Sequence, residues 1–154
     1  MTDPGRTEIE WQFDADDLDR VIALLEEAEL DGLTVCRGPV AEITDRYFDS
    51  SDRRLGRAGL TARLRLRERR LQLGLKTRAD PEGGLRQRLE FEEFDPPQQL
   101  THLAQASGPA GHTLRMVGEG PGYEELFTLT TTRRTYLVKD GGSARAEIAL
   151  DESL

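Results

Sequence analysis

Strict alternation between charged and apolar residues is the feature that most constrains how this chain folds. Residues 7–13 place Glu8 and Glu10 on one side and Ile9 and Trp11 on the other. Successive side chains of a β-strand point to opposite faces, so this pattern predicts a strand with one charged face. Further strands are predicted at residues 40–48, 60–68, 71–77, 85–94, 125–139 and 145–150.

The segments between these strands carry helix and turn signals. Asp14 is expected to cap a helix of about 17 residues whose apolar stripe begins at Leu18. A short helix is predicted at 98–106, and the Gly- and Pro-rich segment 108–122 is expected to be a loop. The Asp140-Gly141-Gly142 sequence predicts a hairpin turn. These elements predict a single α+β domain over residues 1–154 that is mainly antiparallel β.

The charge of the chain is distributed unevenly. Its 21 basic and 29 acidic residues give a net charge of −8. The window from Arg53 to Arg88 nevertheless holds 11 Arg and one Lys against three acids, a local charge of +9. The overall balance argues against duplex nucleic acid and anionic membranes as partners, because both select for positive fields. The basic window indicates a smaller anionic ligand.

The charged strand faces predict a lined cavity. The alternative is that they are solvated faces of an ordinary half-buried sheet, but rows of like charge exposed along a strand repel one another and stabilise little. Inside a closed barrel they would face one another across a lumen. The opposite faces would then lie outward beneath helices, with the apolar side chains of Ile9, Trp11, Leu64, Leu66, Leu71, Leu73 and Leu75.

The spacing of these charges indicates a chemistry. Residues i and i+2 of a strand lie about 6–7 Å apart on one face, so two Glu side chains can converge on one hard cation. Mg²⁺ and Mn²⁺ prefer oxygen ligands, and Arg guanidinium groups bind phosphate oxygens in pairs. Carboxylates, a divalent ion and several Arg residues around one lumen therefore suit a chain of phosphates.

The order of motifs along the chain resembles a known family. Glu8-Ile9-Glu10-Trp11-Gln12 is similar to an N-terminal Glu-x-Glu-x-Lys signature, with Gln12 at the Lys position. The later motifs that match are Asp45-Arg46-Tyr47-Phe48-Asp49, Arg63-Leu64-Arg65, Leu75-Lys76, Arg88-Leu89-Glu90-Phe91-Glu92, Thr132-Arg133-Arg134 and Leu150-Asp151-Glu152. Together they resemble the CYTH domains, or triphosphate tunnel metalloenzymes, which include inorganic triphosphatases, thiamine triphosphatases and class IV adenylyl cyclases.

The resemblance implies a fold and a site. The fold is an eight-stranded closed tunnel barrel with a polar lumen and helices outside. In the site, Glu8, Glu10 and Asp151 would bind Mg²⁺ or Mn²⁺, and Glu90 and Glu92 would position a metal or the attacking water. The phosphate-binding residues would be Arg63, Arg65, Lys76, Arg88 and Arg134.

The family pattern also implies strands beyond the Leu-Asp-Glu motif, so we expect the barrel to be incomplete at its C-terminal end and the chain to be C-terminally truncated. A C-terminal CHAD-type helical domain is then an expected neighbour, and open strand edges favour dimerisation. No segment approaches the ~20 apolar residues of a membrane span, which predicts a cytoplasmic protein without membrane contact.

Three functions stay open at this point. The first is metal-dependent hydrolysis of a triphosphate or short polyphosphate, with tripolyphosphate, nucleoside triphosphate or thiamine triphosphate as substrate. The second is a non-catalytic module that binds polyphosphate or nucleotide, which Gln12 favours because one cation of the signature is missing. The third is cyclisation of ATP by a class IV adenylyl cyclase.

Overall fold

The computed structural model describes residues 6–27, 32–78, 85–118 and 122–154. Over these ranges the protein is mainly antiparallel β. The strands are β1 (Arg6–Trp11), β2 (Thr34–Asp49), β3 (Leu60–Arg67), β4 (Arg70–Thr77), β5 (Leu85–Phe94), β6 (Glu124–Asp140) and β7 (Ser143–Ser153). The helices are α1 (Leu18–Glu27), α2 (Arg54–Arg57), a 3₁₀ helix (Leu100–Gln105) and α3 (Pro109–Val117).

The strands are hydrogen-bonded in the order β1-β5-β4-β3-β2-β6-β7. Pairs β1–β5, β3–β4, β4–β5 and β6–β7 are antiparallel. The end strands are β1 and β7, so the sheet formed by the described residues is open. The expected fold class is confirmed in its incomplete form, with seven strands in the described ranges where a closed barrel would have eight.

The hairpin turns follow the sequence signals. Gly141 and Gly142 have φ angles of 53° and 93°, the left-handed region that a two-residue hairpin turn requires. Between β3 and β4 the same region is occupied by Glu68 and Arg69, with φ angles of 49° and 66°. The β3–β4 hairpin therefore forms where the sequence predicts it, although neither of its turn residues is Gly or Asn.

The chain divides into two compact units. The first contains residues 1–12 and 44–129, and the second contains residues 13–43 and 130–154. Strands β2 and β6 run through both. The core of the first unit lies on the outward face of β3 and β4, beneath the 3₁₀ helix and α3. Its buried residues are Phe48, Leu55, Ala62, Leu64, Leu73, Leu75, Leu103, Ala106, Ala110, Leu114 and Tyr123.

The predicted outward apolar face is confirmed for the central residues of β3 and β4, and it is wrong for β1 and for Leu66 near the end of β3. Leu64, Leu73 and Leu75 are fully buried. Ile9 and Trp11, by contrast, are 65% and 61% exposed, and Leu66 is 46% exposed. The reason is the position of α3, which packs on β4 and β5 and leaves the outer face of β1 to solvent.

The first helix of the second unit begins later than the sequence predicts. Helix α1 begins at Leu18, and Oδ1 of Asp17 accepts a hydrogen bond from the Arg20 backbone N–H at 3.1 Å. Asp17, not Asp14, is therefore the capping residue, because its side chain accepts a hydrogen bond from the backbone N–H of the third helical residue. The buried residues of this unit are Ala41, Ile43, Thr131, Thr135, Tyr136, Val138 and Leu150.

The segment expected to be a loop at 108–122 instead contains α3. Pro109 occupies the first helical turn, where its missing N–H costs nothing. Ala110, Gly111 and Leu114 are buried, so packing of one face of α3 stabilises a helix that composition alone disfavours. None of the helices in the described part of the chain is long and apolar enough to cross a bilayer.

Candidate functional site

The charged face of the first unit is assembled from β1, β5, β4 and β3. The strand register sets Glu8 opposite Arg88, Lys76 opposite Glu90, and Gly74 opposite both Arg63 and Glu92. Directly paired residues of antiparallel strands project from the same face of a sheet. The residues predicted from motifs on four strands therefore share one face. The Glu8 side chain lies outside the described residues, so its role as a metal ligand stays a prediction.

Glu90 is the centre of an ion-pair network on this face. It is buried, and its Oε1 lies 2.9 Å from Lys76 Nζ and 3.7 Å from Arg63 Nη2. The side chains of these two cations are themselves mostly buried. On the neighbouring strand, the carboxylate of Glu10 is paired with the guanidinium of Arg88. Cations and carboxylates thus balance each other at close range inside the site.

Asp45 on β2 joins the network, and its role was not predicted. Its buried carboxylate accepts two hydrogen bonds from Arg65, each 2.7 Å long, and lies 3.7 Å from Arg63 Nη1. Arg65 therefore faces Asp45 in this structure, whereas the family resemblance implies that it holds phosphate. The alternation along β2 is the signal that could have identified Asp45, because Asp45 and Tyr47 lie on the strand face opposite to that of the buried Phe48.

Glu92 lies two residues from Glu90 on the same strand face. Burial raises the pKa of the Glu92 carboxyl above its ordinary value of 4.5, and the charge of Glu90 raises the pKa further. Arg63 and Lys76 oppose this effect. Two carboxyl groups that repel one another in this way favour either a shared proton or a cation between them.

A cleft of about 270 Å³ opens on this face. It is lined by Tyr47, Thr61, Arg63, Gly74, Lys76, Thr77, Arg78 and Arg88. Four of these side chains are cationic and three carry hydroxyl groups. A larger cleft of about 520 Å³ shares Thr77, Arg78 and Arg88, but Leu85 and Leu89 form part of its wall.

The cleft contains residues that the sequence did not single out. Arg78, which has no role in the site predicted from the sequence, lines the cleft while remaining exposed. Arg78 follows the last residue of β4, so its position two residues after Lys76 is the signal that could have placed it near the cleft. Tyr47 and Thr61 also line the cleft, and neither was given a role from the sequence.

Two predicted site residues lie in the second unit. Asp151 accepts two hydrogen bonds from Arg133, 2.7 and 2.6 Å long, across the β6–β7 pair. Arg134 Nη1 lies 3.6 Å from Glu152 Oε2 on the same pair of strands. Both arrangements are partly exposed. Metal binding by Asp151 and phosphate binding by Arg134 stay predictions.

The carboxylates can be tested against the divalent ion that the resemblance implies. No group of three or more His, Cys, Asp or Glu side chains converges on one point among the described residues. Mg²⁺, however, is commonly held by one or two carboxylates together with waters and substrate phosphates. Glu90 and Glu92 supply such a pair beside a cationic cleft, so the donor set fits an ion that is completed by phosphate oxygens.

Comparison with known proteins identifies the family. The CYTH domain model matches residues 7–154, and the chain therefore belongs to the CYTH domain family. No protein of curated function matches the chain.

Three solved structures share the fold. A candidate adenylate cyclase from Bacillus halodurans is 20% identical, with a TM-score of 0.53 over 96% of this chain and 80% of its own. A protein from Pyrococcus horikoshii is 18% identical, with a TM-score of 0.54 over 96% and 70%. A Hippeastrum protein, described as a candidate adenylyl cyclase with a dominant triphosphatase activity, is 16% identical, with a TM-score of 0.53 over 75% and 68%.

Proposed function

We propose that the protein hydrolyses a triphosphate or a short polyphosphate in a reaction that depends on a divalent metal. The observation that carries this proposal is the cleft of about 270 Å³ lined by Arg63, Lys76, Arg78 and Arg88, in which Arg63 and Lys76 are paired with the Glu90 carboxylate. A cleft of this size excludes a nucleic-acid duplex. Its concentration of positive charge is complementary to the closely spaced charges of a phosphate chain.

Each group has a role that follows from its position. Arg63, Lys76 and Arg88 would bind phosphate oxygens and stabilise the charge that develops on the leaving phosphate. Glu92, whose pKa is raised by burial and by Glu90, is suited to accept a proton from an attacking water. Arg65 would act through Asp45, which in turn lies beside Arg63.

Glu90 and Glu92 would hold the metal, with Glu8 and Glu10 as the further ligands that the family resemblance implies. Bound there, Mg²⁺ or Mn²⁺ would screen the negative charge of the phosphates and fix their orientation. The buried Glu90 carboxylate is neutralised by Lys76 and Arg63 in this structure. Phosphate groups would compete with Glu90 for the same two cations, which would leave its oxygens available to the ion.

A non-catalytic binding module is the second candidate, and a specific observation favours it. Gln12 stands where the signature has Lys, and the carboxylate of Glu10 is already engaged by Arg88. Such a module would bind phosphate chains through the same cleft but would release no phosphate. It would also bind them equally well after chelation of divalent ions.

Phosphate release from tripolyphosphate with Mg²⁺ or Mn²⁺ tests the proposal. We expect metal-dependent turnover that falls by about ten- to a hundredfold in Arg63→Ala or Lys76→Ala, because each removes a charge-assisted hydrogen bond to the substrate. Arg57→Ala is the matched control, since Arg57 lies outside the cleft lining and its side chain forms an exposed ion pair with Asp52. Its turnover should equal that of the wild type.

The outcomes separate the candidates. Phosphate release that EDTA abolishes supports the hydrolase. Binding of tripolyphosphate without turnover, unchanged by EDTA, supports the binding module instead. Cyclic AMP and pyrophosphate as the products from ATP would identify a cyclase, and absence of both binding and turnover would contradict all three functions.

A further inference from the structure

The charged face of the first unit continues beyond the end of the cleft. The β3–β4 register sets Arg63 opposite Gly74, and the next pair on the same face is Arg65 opposite Gln72. Arg63 and Gly74 line the cleft, whereas Arg65 and Gln72, which the structure also describes, lie outside its lining. The cleft therefore ends beside a further arginine of the same strand face.

The side chain of Asp45 engages Arg65 at this end of the cleft. Oδ1 of Asp45 accepts a hydrogen bond from Arg65 Nε, and Oδ2 accepts one from Nη2, each 2.7 Å long. Both side chains are mostly buried. A carboxylate in this bidentate geometry takes the parallel pair of N–H donors with which a guanidinium binds a phosphate. In this structure that donor pair of Arg65 faces Asp45 and not the cleft.

The cations that line the cleft follow one another in a regular series. Arg88, Lys76 and Arg63 lie in three successive rows of the sheet, because the strand register advances by two residues from each to the next. Neighbouring rows are about 6–7 Å apart. The fourth row holds Arg65, whose charge is balanced by the Asp45 carboxylate. A phosphate chain that extends beyond Arg63 would therefore gain no further cation and would approach an anion.

We propose that Asp45 determines how long a phosphate chain the site accepts. By holding Arg65, it ends the series of phosphate-binding cations at Arg63, so that the additional phosphates of a long chain add no affinity. Asp45 is then a specificity-determining residue that acts through Arg65. This inference rests on the proposed function and adds the length class of the substrate. It differs from the family resemblance, which implies that Arg65 binds phosphate.

Isothermal titration of the full chain with linear tripolyphosphate and hexapolyphosphate tests the inference, in EDTA so that no metal-dependent turnover occurs. The wild type should bind the two chains with affinities within about tenfold of each other, since the longer chain makes no additional charge-assisted hydrogen bond. Asp45→Asn removes the carboxylate and releases Arg65. It should raise the affinity for hexapolyphosphate relative to tripolyphosphate by about ten- to a hundredfold. A residue that only stabilises the fold would change both affinities alike.

The double variant Asp45→Asn/Arg65→Gln provides a second test if Asp45→Asn fails to fold, because it leaves neither charge of the buried pair uncompensated. It should bind tripolyphosphate as tightly as the wild type does, with no gain for hexapolyphosphate. If Arg65 instead binds phosphate, the affinity of this variant for tripolyphosphate should fall by about ten- to a hundredfold.

Glu125→Gln is the matched control. Glu125 belongs to the same unit, and its carboxylate accepts a hydrogen bond from Arg46 Nε at 2.7 Å. Both of these described side chains are exposed, and neither lines the cleft. The substitution releases an arginine away from the cleft, so the ratio of the two affinities should stay at its wild-type value.

The results distinguish this inference from the function on which it rests. An unchanged affinity ratio in Asp45→Asn, or an equal loss of both affinities, would overturn the role of Asp45 and leave the phosphate site intact. So would a wild-type preference for hexapolyphosphate of more than about tenfold, or weaker binding of tripolyphosphate by the double variant. Failure of both chains to bind the wild type, in EDTA and with Mg²⁺ alike, would overturn both proposals.

Discussion

At the scale of single residues, the least exposed interaction of the site is the ion pair between Asp45 and Arg65. The carboxylate is 5% exposed and the guanidinium side chain 13% exposed, and two hydrogen bonds join them. Removing one partner of such a pair leaves the other charge buried and uncompensated, which costs far more than the intact pair contributes. The pair therefore specifies where Arg63 and Arg65 lie, because any other arrangement would leave a buried charge without a partner.

Asp45→Asn is accordingly expected to lower the free energy of unfolding by about 3–5 kcal/mol, as measured by urea denaturation. Asp151→Asn is the matched control, because Asp151 makes a bidentate pair with Arg133 of the same geometry at 40% and 25% exposure. Solvent screens that pair, so the loss there should be below about 1 kcal/mol. Equal losses in the two variants would show that burial does not govern these pairs.

Glu92 gives a prediction about pH. Its pKa is raised above 4.5 in the folded protein, so the folded state binds a proton more tightly than the unfolded state does. Stability from this group is present below the unfolded pKa and is lost as the pH rises through the folded pKa. Glu92→Gln carries no charge and keeps a donor toward Glu90. It should therefore unfold at a higher temperature than the wild type at about pH 7.5.

The difference should become small near pH 3.5, below the reference pKa of ~4.3 for an unfolded Glu, because Glu92 is then largely protonated in both the folded and the unfolded state. Scanning calorimetry of both proteins between these two pH values measures the difference in their unfolding temperatures. Glu147→Gln removes a charge from an exposed position of β7 and serves as the control. A stabilisation of Glu92→Gln that is the same at both pH values would contradict the repulsion between Glu90 and Glu92.

Alternation in the sequence was sufficient to place Arg63, Lys76, Arg88 and Glu90 on one face, because side-chain direction along a strand is a local property. It could not identify the partner of Asp45, because Arg65 lies 20 residues away on the neighbouring strand β3. Nor could it show that Tyr47 stacks on Phe127, 80 positions further along the chain. Interactions between strands depend on register, which a single strand's pattern leaves open.

At the scale of elements, α3 shows how packing overrides composition. Gly111 lies inside this helix, where Gly is ordinarily less favourable than Ala by about 1 kcal/mol. A Cβ at this position would lie 2.1 Å from the Ala106 carbonyl oxygen and 2.6 Å from its carbonyl carbon. Both atoms belong to the backbone that follows the 3₁₀ helix, and they cannot rotate away. The missing side chain therefore permits α3 to approach this backbone closely.

Gly111→Ala should consequently destabilise the protein, by about 1–3 kcal/mol in urea denaturation, although helix propensity alone predicts the opposite sign. His112→Ala is the control on the next residue of the same helix. His112 is exposed, so its replacement should be neutral or slightly stabilising. A gain in stability for Gly111→Ala would mean that the 3₁₀ helix and α3 separate at little cost.

The elements that the sequence predicted accurately are the strands with strong alternation. Strands β3, β4 and β5 agree with their predicted bounds to within a residue, since a period of two over eight or more residues is a strong signal. The exposure of Trp11 was not predictable, because an apolar strand face is buried only where another element covers it. That covering element, α3, arises from a segment whose Gly and Pro content indicates a loop.

At the scale of the whole molecule, the net charge of −8 and the cationic cleft act on ligands of different size. A duplex interacts with charge over many ångströms of surface, whereas a short phosphate chain interacts mainly with the groups that contact it. The basic residues that line the cleft lie within the +9 window from Arg53 to Arg88. The acidic remainder of the chain should therefore exclude nucleic acid while the cleft admits a triphosphate.

We expect no measurable anisotropy change for a fluorescent DNA duplex at about 50 mM salt, a condition under which basic proteins bind DNA non-specifically. Tripolyphosphate should bind under the same condition. Replacing the exposed Asp16, Asp19 and Glu147 by their amides removes three negative charges far along the sequence from the cleft. This variant should gain affinity for the duplex without any change for tripolyphosphate, because local contacts determine the second affinity and the summed field determines the first. Duplex binding by the wild type, falling steeply with salt, would instead show that the basic window contacts nucleic acid from outside the cleft.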